Sequence, residues 1–190
     1  TDDASVALNG PIALNSNITT ANQTINLNGA VTLGTDLTLN SGTGNLVLGN
    51  TVDGARNLTI TAGTVQTNGA IGGTTPLTSL SAASSNFFST TPIGITITNN
   101  LTTQNITSNA GISLTSLAGA IITGNLNTAG ISGGNISAIA ATNITTGTIN
   151  SSGSPGSGGN VTLNPQGPSS LVQVISINFS YTHLTLPTNR

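Results

Sequence analysis

Aliphatic and polar residues alternate over runs of only three to five positions, and the runs return about every 20 residues along the chain. Ile25-Asn26-Leu27, Val31-Thr32-Leu33 and Leu37-Thr38-Leu39 form one such line, separated by Asn28-Gly29 and Thr35-Asp36. Leu46-Val47-Leu48, Val52 and Leu58-Thr59-Ile60 form the next, and Val65, Ile71 and Leu77 begin a third. Val31 and Val52 are 21 residues apart, Val52 and Ile71 are 19 apart, and Leu37, Leu58 and Leu77 keep the same two steps. Upstream, Ile12 and Ile18 each precede their counterparts Val31 and Leu37 by 19 residues. Downstream, Ile93, Ile112, Ile131 and Ile149 extend the column from Ile71 in steps of 22, 19, 19 and 18.

Alternation places the aliphatics of a strand on one face and Thr or Asn on the other. One line of this kind has nothing to bury its apolar face against. Lines stacked about 4.8 Å apart in parallel ladders enclose it, and each enclosed aliphatic then contributes about 1.5–3 kcal/mol. Gly and Asn between the runs supply residues that accept tight corners. The pattern predicts an all-β chain folded as a right-handed parallel β-helix, a solenoid of about 8–9 turns of roughly 18–24 residues each. It covers residues 1–179 as one segment, read as an interior slice of a longer protein because Thr1 has the look of an arbitrary start. A sandwich of hairpins, the rival all-β arrangement, produces no columns of this length.

Three stretches depart from the period. Ser81 to Pro92 lengthens one turn as a loop and carries Phe87-Phe88, the only adjacent aromatics. Either one Phe plugs the core, or the pair forms a small exposed ligand platform. Ser151 to Gly159 reads as a flexible surface loop. The tail from Ser180 to Arg190 holds the only His and the only Tyr and resembles a translated sequencing-adapter sequence, which predicts a non-native tail over 180–190.

Composition narrows the chemistry. Charged residues make up 3% of the chain and aromatics 2%, with a net charge of −2 and no Cys. No basic stripe exists to bind nucleic acid, no thiolates exist to hold a metal, and no apolar run is long enough to span a membrane. Outside the tail the ionisable side chains are Asp2, Asp3, Asp36, Asp53 and Arg56. Carbohydrate-cleaving sites need clustered carboxylates. Asp36 aligns with Asn57 and Asp53 with Thr32, in different columns, so a catalytic pair is not expected. Asp53 and Arg56 flank a turn, where an exposed ion pair is the expected arrangement. Phosphate-binding loops, nucleophile elbows, zinc motifs and calcium-binding nonapeptides are not present. The expectation is a non-enzymatic chain with no cofactor. One surface column stands out: Thr19, Thr38, Thr59 and Thr78 occupy equivalent outward places at the period and make a candidate Thr ladder. A regular double Thr file orders water for ice binding. Here the second file is Asn40, Thr61 and Ser79, so ice binding is not expected and simple stacking of Thr on a solvated strand is.

The blocks Gly44-Asn45-Leu46-Val47-Leu48-Gly49-Asn50-Thr51-Val52-Asp53-Gly54-Ala55 and Asn68-Gly69-Ala70-Ile71-Gly72-Gly73-Thr74-Thr75-Pro76-Leu77 resemble those of filamentous-haemagglutinin-type repeat proteins. Thr148-Ile149-Asn150-Ser151-Ser152 with Gly158-Gly159-Asn160-Val161-Thr162-Leu163 is similar in style. The resemblance runs over Ser5 to Asn178, and it is specific for architecture more than for activity. It implies secretion by a Gram-negative-type bacterium through a two-partner outer-membrane transporter, a place at the cell surface, and a role as the shaft of an adhesin. Host-cell or extracellular glycans or proteins are the partners it implies. A carbohydrate-binding or carbohydrate-active β-helix and a self-assembling extracellular matrix protein are the alternatives. Open strand edges at the two ends predict self-association.

Overall fold

The computed structural model describes residues 4–178 together with Leu184–Thr185. These residues contain no helix, and their strands stack in parallel as a β-solenoid of about eight turns. Three strand-bearing faces wind round one apolar core.

The first face begins with Ile12–Leu14, Val31–Leu33 and Val52–Asp53 and resumes with Ile93–Ile97, Gly111–Ser116, Asn135–Ala140 and Val161–Pro165. Single bridges at Ile71, to Val52 on one side and Ile95 on the other, join the two halves. The second face starts with Ile18–Thr19 and Leu37–Asn40, the third with Val6–Leu8, Ile25–Leu27 and Asn45–Leu48. From the third full turn onward these two faces share long strands, except in the turn with the separate short strands Ile121–Ile122 and Leu126–Asn127. Asn57–Thr67, Ser79–Ser89 and Leu101–Ser108 each run round the corner between them.

The third face carries the clearest column. Val6, Ile25, Leu46, Val65, Phe87, Ile106, Leu126, Ile149 and Ile177 follow one another in register. From Ile25 to Ile149 every member is essentially inaccessible to solvent. The adjacent inward position is Leu27 and Leu48 in the early turns, then Thr67, Ser89, Ser108, Thr128 and Ser151, none more than 1% exposed. A buried hydroxyl without a partner is costly. Four of these hydroxyls donate to main-chain carbonyls, Thr67 to Gly69 (2.9 Å), Ser108 to Thr91 of the preceding turn (2.9 Å), Thr128 to Gly134 (2.6 Å) and Ser151 to Gly159 (3.0 Å), and Ser89 meets the Thr91 hydroxyl (3.0 Å).

Corner chemistry follows the Gly and Asn positions. Asn22, at φ 62°, adopts the left-handed backbone and accepts from the Thr43 N–H of the next turn (3.0 Å). Gly42 takes the same corner one turn later at φ 56°, where a Cβ would stand 2.2 Å from Asn22 Oδ1. The left-handed backbone, with the Asn22 amide held beside it, favours glycine there.

Several registers differ from the expected period. Leu58 pairs with Leu80 rather than Leu77, and Ile71 pairs with Ile95 rather than Ile93. The cause is residues 72–76, which loop out of the first face so that Ile71 and Leu77 meet Ile95 and Ile97. Ile131 is not a core residue: it is 77% exposed, and Ile112 pairs with Ile136 instead. Ile149 belongs to the third-face column, not the first. Ser81 to Pro92 is not a loop either, since Ser79–Ser89 is a continuous strand with an irregularity between Ala82 and Asn86 against its next neighbour. Residues 151–159 do leave the strands, but they are tied down. Gly156 N–H donates to the Ile131 carbonyl (2.8 Å), Gly133 N–H to that of Ser157 (3.0 Å) and Ser154 N–H to that of Gly130 (2.9 Å). The expected non-native tail, 180–190, lies outside the described residues except for Leu184–Thr185, which pair with Val161 and Thr162.

Candidate functional site

The expected surface features rearrange once register is known. Phe87 and Phe88 do not form a platform. Phe87 points into the core between Val65 and Ile106 and is 0% exposed, while half-buried Phe88 lies on the outer side between Gln66 and Thr107. Alternation along one strand puts adjacent residues on opposite faces. The Thr ladder is also shorter than its spacing implied. Thr38 and Thr59 do pair, but Thr19 pairs with Asn40, and Thr59 is followed by Ser81, not Thr78. Thr78 instead lies at a corner, its N–H donating to the Arg56 carbonyl (2.9 Å).

The acids act as caps between turns. Asp36 Oδ1 accepts the Asn57 N–H (2.9 Å) and Oδ2 accepts Asn57 Nδ2 (2.7 Å). These two bonds, and then the charge of Arg56, hold the Asp36 carboxyl below its ordinary value of 3.8. Asp53 Oδ1 accepts from the N–H groups of Thr74 (2.8 Å) and Thr75 (3.0 Å), fixing the loop of residues 72–76. The carboxylate is spent on that loop, in place of the ion pair with Arg56 that the sequence led us to expect. Asp36 and Asp53 stand on different columns, as their alignment required.

Neutral amides build the most developed surface feature. On the outer side of the third face, Asn86, Asn105, Asn125 and Thr148 fall in one file at the corner with the second face. Thr107, Asn127 and Asn150 form the next file, in register. Together they line an open groove of about 360 Å³. The orientation of its amides follows from their backbone partners. Asn125 Oδ1 accepts the Thr148 N–H (2.8 Å), Asn127 Oδ1 the Ala129 N–H (3.1 Å), and Asn150 Oδ1 the Ser152 N–H (3.2 Å) and hydroxyl (2.8 Å). Because an N–H can only donate, the oxygen of each amide is fixed toward the backbone. At the end of the groove the Asn86 side-chain amide meets the Thr107 hydroxyl at 3.1 Å.

This arrangement offers hydrogen bonds and no acid, base or nucleophile pair. Among the described residues no group of three His, Cys, Asp or Glu is placed to hold a metal ion, and no helix is long and apolar enough to cross a membrane. Sequence reasoning overlooked the groove. Its only trace was the recurrence of Asn at 105 and 125 and at 127 and 150, which is hard to see in a chain so rich in Asn. No family model, curated protein or solved structure matches this chain.

Proposed function

We propose that the chain is a structural shaft segment of a secreted bacterial surface exoprotein, non-catalytic, whose task is to display or mediate adhesion. The observation that supports this best is the continuous third-face column from Val6 to Ile177, which builds one stiff stack from a single chain. Stiffness comes from the ladders: each added turn buries another set of aliphatics and continues the same backbone hydrogen bonds. The use of Asp36 and Asp53 as caps leaves neither in the geometry of a glycosidase pair, which favours a mechanical over a catalytic role. The resemblance to filamentous-haemagglutinin-type repeats supplies the setting: export through an outer-membrane transporter and residence at the cell surface. Electron microscopy of the parent protein, with an antibody raised against this chain as label, tests the proposal. A rod on intact cells that lengthens by about 4.8 Å per turn agrees with it. Label confined to the cell interior, or a compact particle, rejects it.

A further inference from the structure

The groove on the third face carries an inference that goes beyond the shaft reading and does not depend on it. In Asn125, Asn127 and Asn150 the side-chain oxygen is occupied by the protein's own N–H groups. Each amide nitrogen is therefore turned away from its backbone partner, and none of the three has a protein partner among the described residues. The groove thus presents donors held in place by the fold, at no cost in ordering when a ligand arrives. Asn127 and Asn150 are register neighbours on adjacent turns, so their nitrogens recur at the ladder spacing of about 4.8 Å. Thr107 continues the same file one turn earlier, and half-buried Phe88 adds an aromatic surface one turn beyond it.

A ligand that fits must be rich in acceptors, extended, and repeat at nearly the length of one turn. It must also be uncharged, because no ionised side chain lines the groove to balance a charge. We infer that the groove formed by Asn125, Asn127, Asn150, Thr107 and Thr148 binds an extended, β-linked neutral polysaccharide laid along the solenoid axis. One hexose of such a chain advances by nearly one turn. Its ring and hydroxyl oxygens accept from the amide nitrogens, its hydroxyls meet Thr107 and Thr148, and a sugar face rests on Phe88.

Exchanging Asn for Asp separates this role from a structural one. Aspartate keeps the Oδ1 that accepts the backbone N–H and replaces the outward donor with an acceptor. Affinity electrophoresis of the full chain in gels containing mixed-linkage β-glucan or glucomannan, with heparin gels alongside, reads binding directly. The wild type is expected to be retarded by at least one of the two neutral polymers. Asn127→Asp/Asn150→Asp is expected to weaken that retardation roughly tenfold, the loss of about two hydrogen bonds. Asn17→Asp makes the same exchange at a corner where Oδ1 accepts the Thr38 N–H (2.7 Å), and is expected to bind as wild type. If the double variant does not melt cooperatively, the two single variants carry the test, each with roughly a threefold loss. No retardation by either neutral polymer, retardation by heparin alone, or unchanged retardation of the folded Asp variants overturns the inference.

Discussion

Asn57 closes on Asp36 across one turn of the solenoid with two hydrogen bonds, backbone N–H to Oδ1 and Nδ2 to Oδ2. Both favour the carboxylate, so the folded-state pKa lies below the unfolded one. A lowered pKa gives stability that is complete above the unfolded value of 3.8 and disappears as pH falls through the lower folded value. Melting temperature is therefore expected to drop as the pH falls below the ordinary carboxyl value of 3.8, and Asp36→Ala is expected to flatten that drop while lowering stability at neutral pH. The group is solvent-exposed, so the effect is modest and shrinks with added salt. Melts of the two proteins across that range check it.

Phe87 is the largest side chain in the core column and fills the turn between Val65 and Ile106. Phe87→Ala is expected to cost about 3–5 kcal/mol through lost burial and the cavity left behind. Phe88→Ala, on the other side of the same strand, is expected to cost under about 1 kcal/mol. Denaturant titrations distinguish the two, and equal costs would place both rings in the core or both outside.

Gly134 lies against the preceding turn, where a Cβ would stand 1.7 Å from the Ala110 carbonyl oxygen. Main chain cannot move aside cheaply, so Gly134→Ala is expected to destabilise by about 1–3 kcal/mol. Gly94, whose added Cβ would meet only the Ala70 Cβ at 3.9 Å, makes the control. Gly94→Ala is expected to be neutral or to stabilise by about 0.4–1 kcal/mol through the unfolded chain. Thermal melts of both variants check the pair.

At one end of the described stack Val6, Leu8 and Ile18 are only partly buried, and at the other Val172, Val174 and Ile177 are too. Strand edges that present aliphatics and unpaired main chain associate with one another. Sedimentation of the isolated chain is expected to show concentration-dependent self-association. A monomer at every concentration contradicts this.

The sequence made the architecture legible because the inward positions of a short strand are almost all aliphatic. Ile12 with Val31 and Val52, and Leu37 with Leu58, could be read by counting. Counting failed where a turn gained residues on one side only. The outward loop of residues 72–76 has the same Gly, Thr and Pro as any corner, so Leu77 seemed to follow Leu58 when Leu80 does. Ile131 looked like a core residue because it sits at the right interval, yet backbone bonds from residues 151–159 hold its loop outside the column. Substituting hydroxyls for leucine, as at Thr67 and Ser108, hid the second inward position, because a buried hydroxyl looks polar until its carbonyl partner is known. The groove was invisible for a related reason. Its donors depend on which backbone N–H each Asn accepts, and spacing alone does not reveal that.

The central claim is a single chain stacked in the register that joins Thr59 to Ser81. The chain has no native Cys, so cysteines introduced in pairs report register without background. Both positions are exposed and adjacent on neighbouring strands, within the separation a disulfide needs. Under mild oxidation Thr59→Cys/Ser81→Cys is expected to form an intrachain disulfide, and Thr59→Cys/Thr78→Cys is not. Closure of the second pair instead of the first, or interchain disulfides in the single variant Thr59→Cys as an intermolecular cross-β stack would give, contradicts the account.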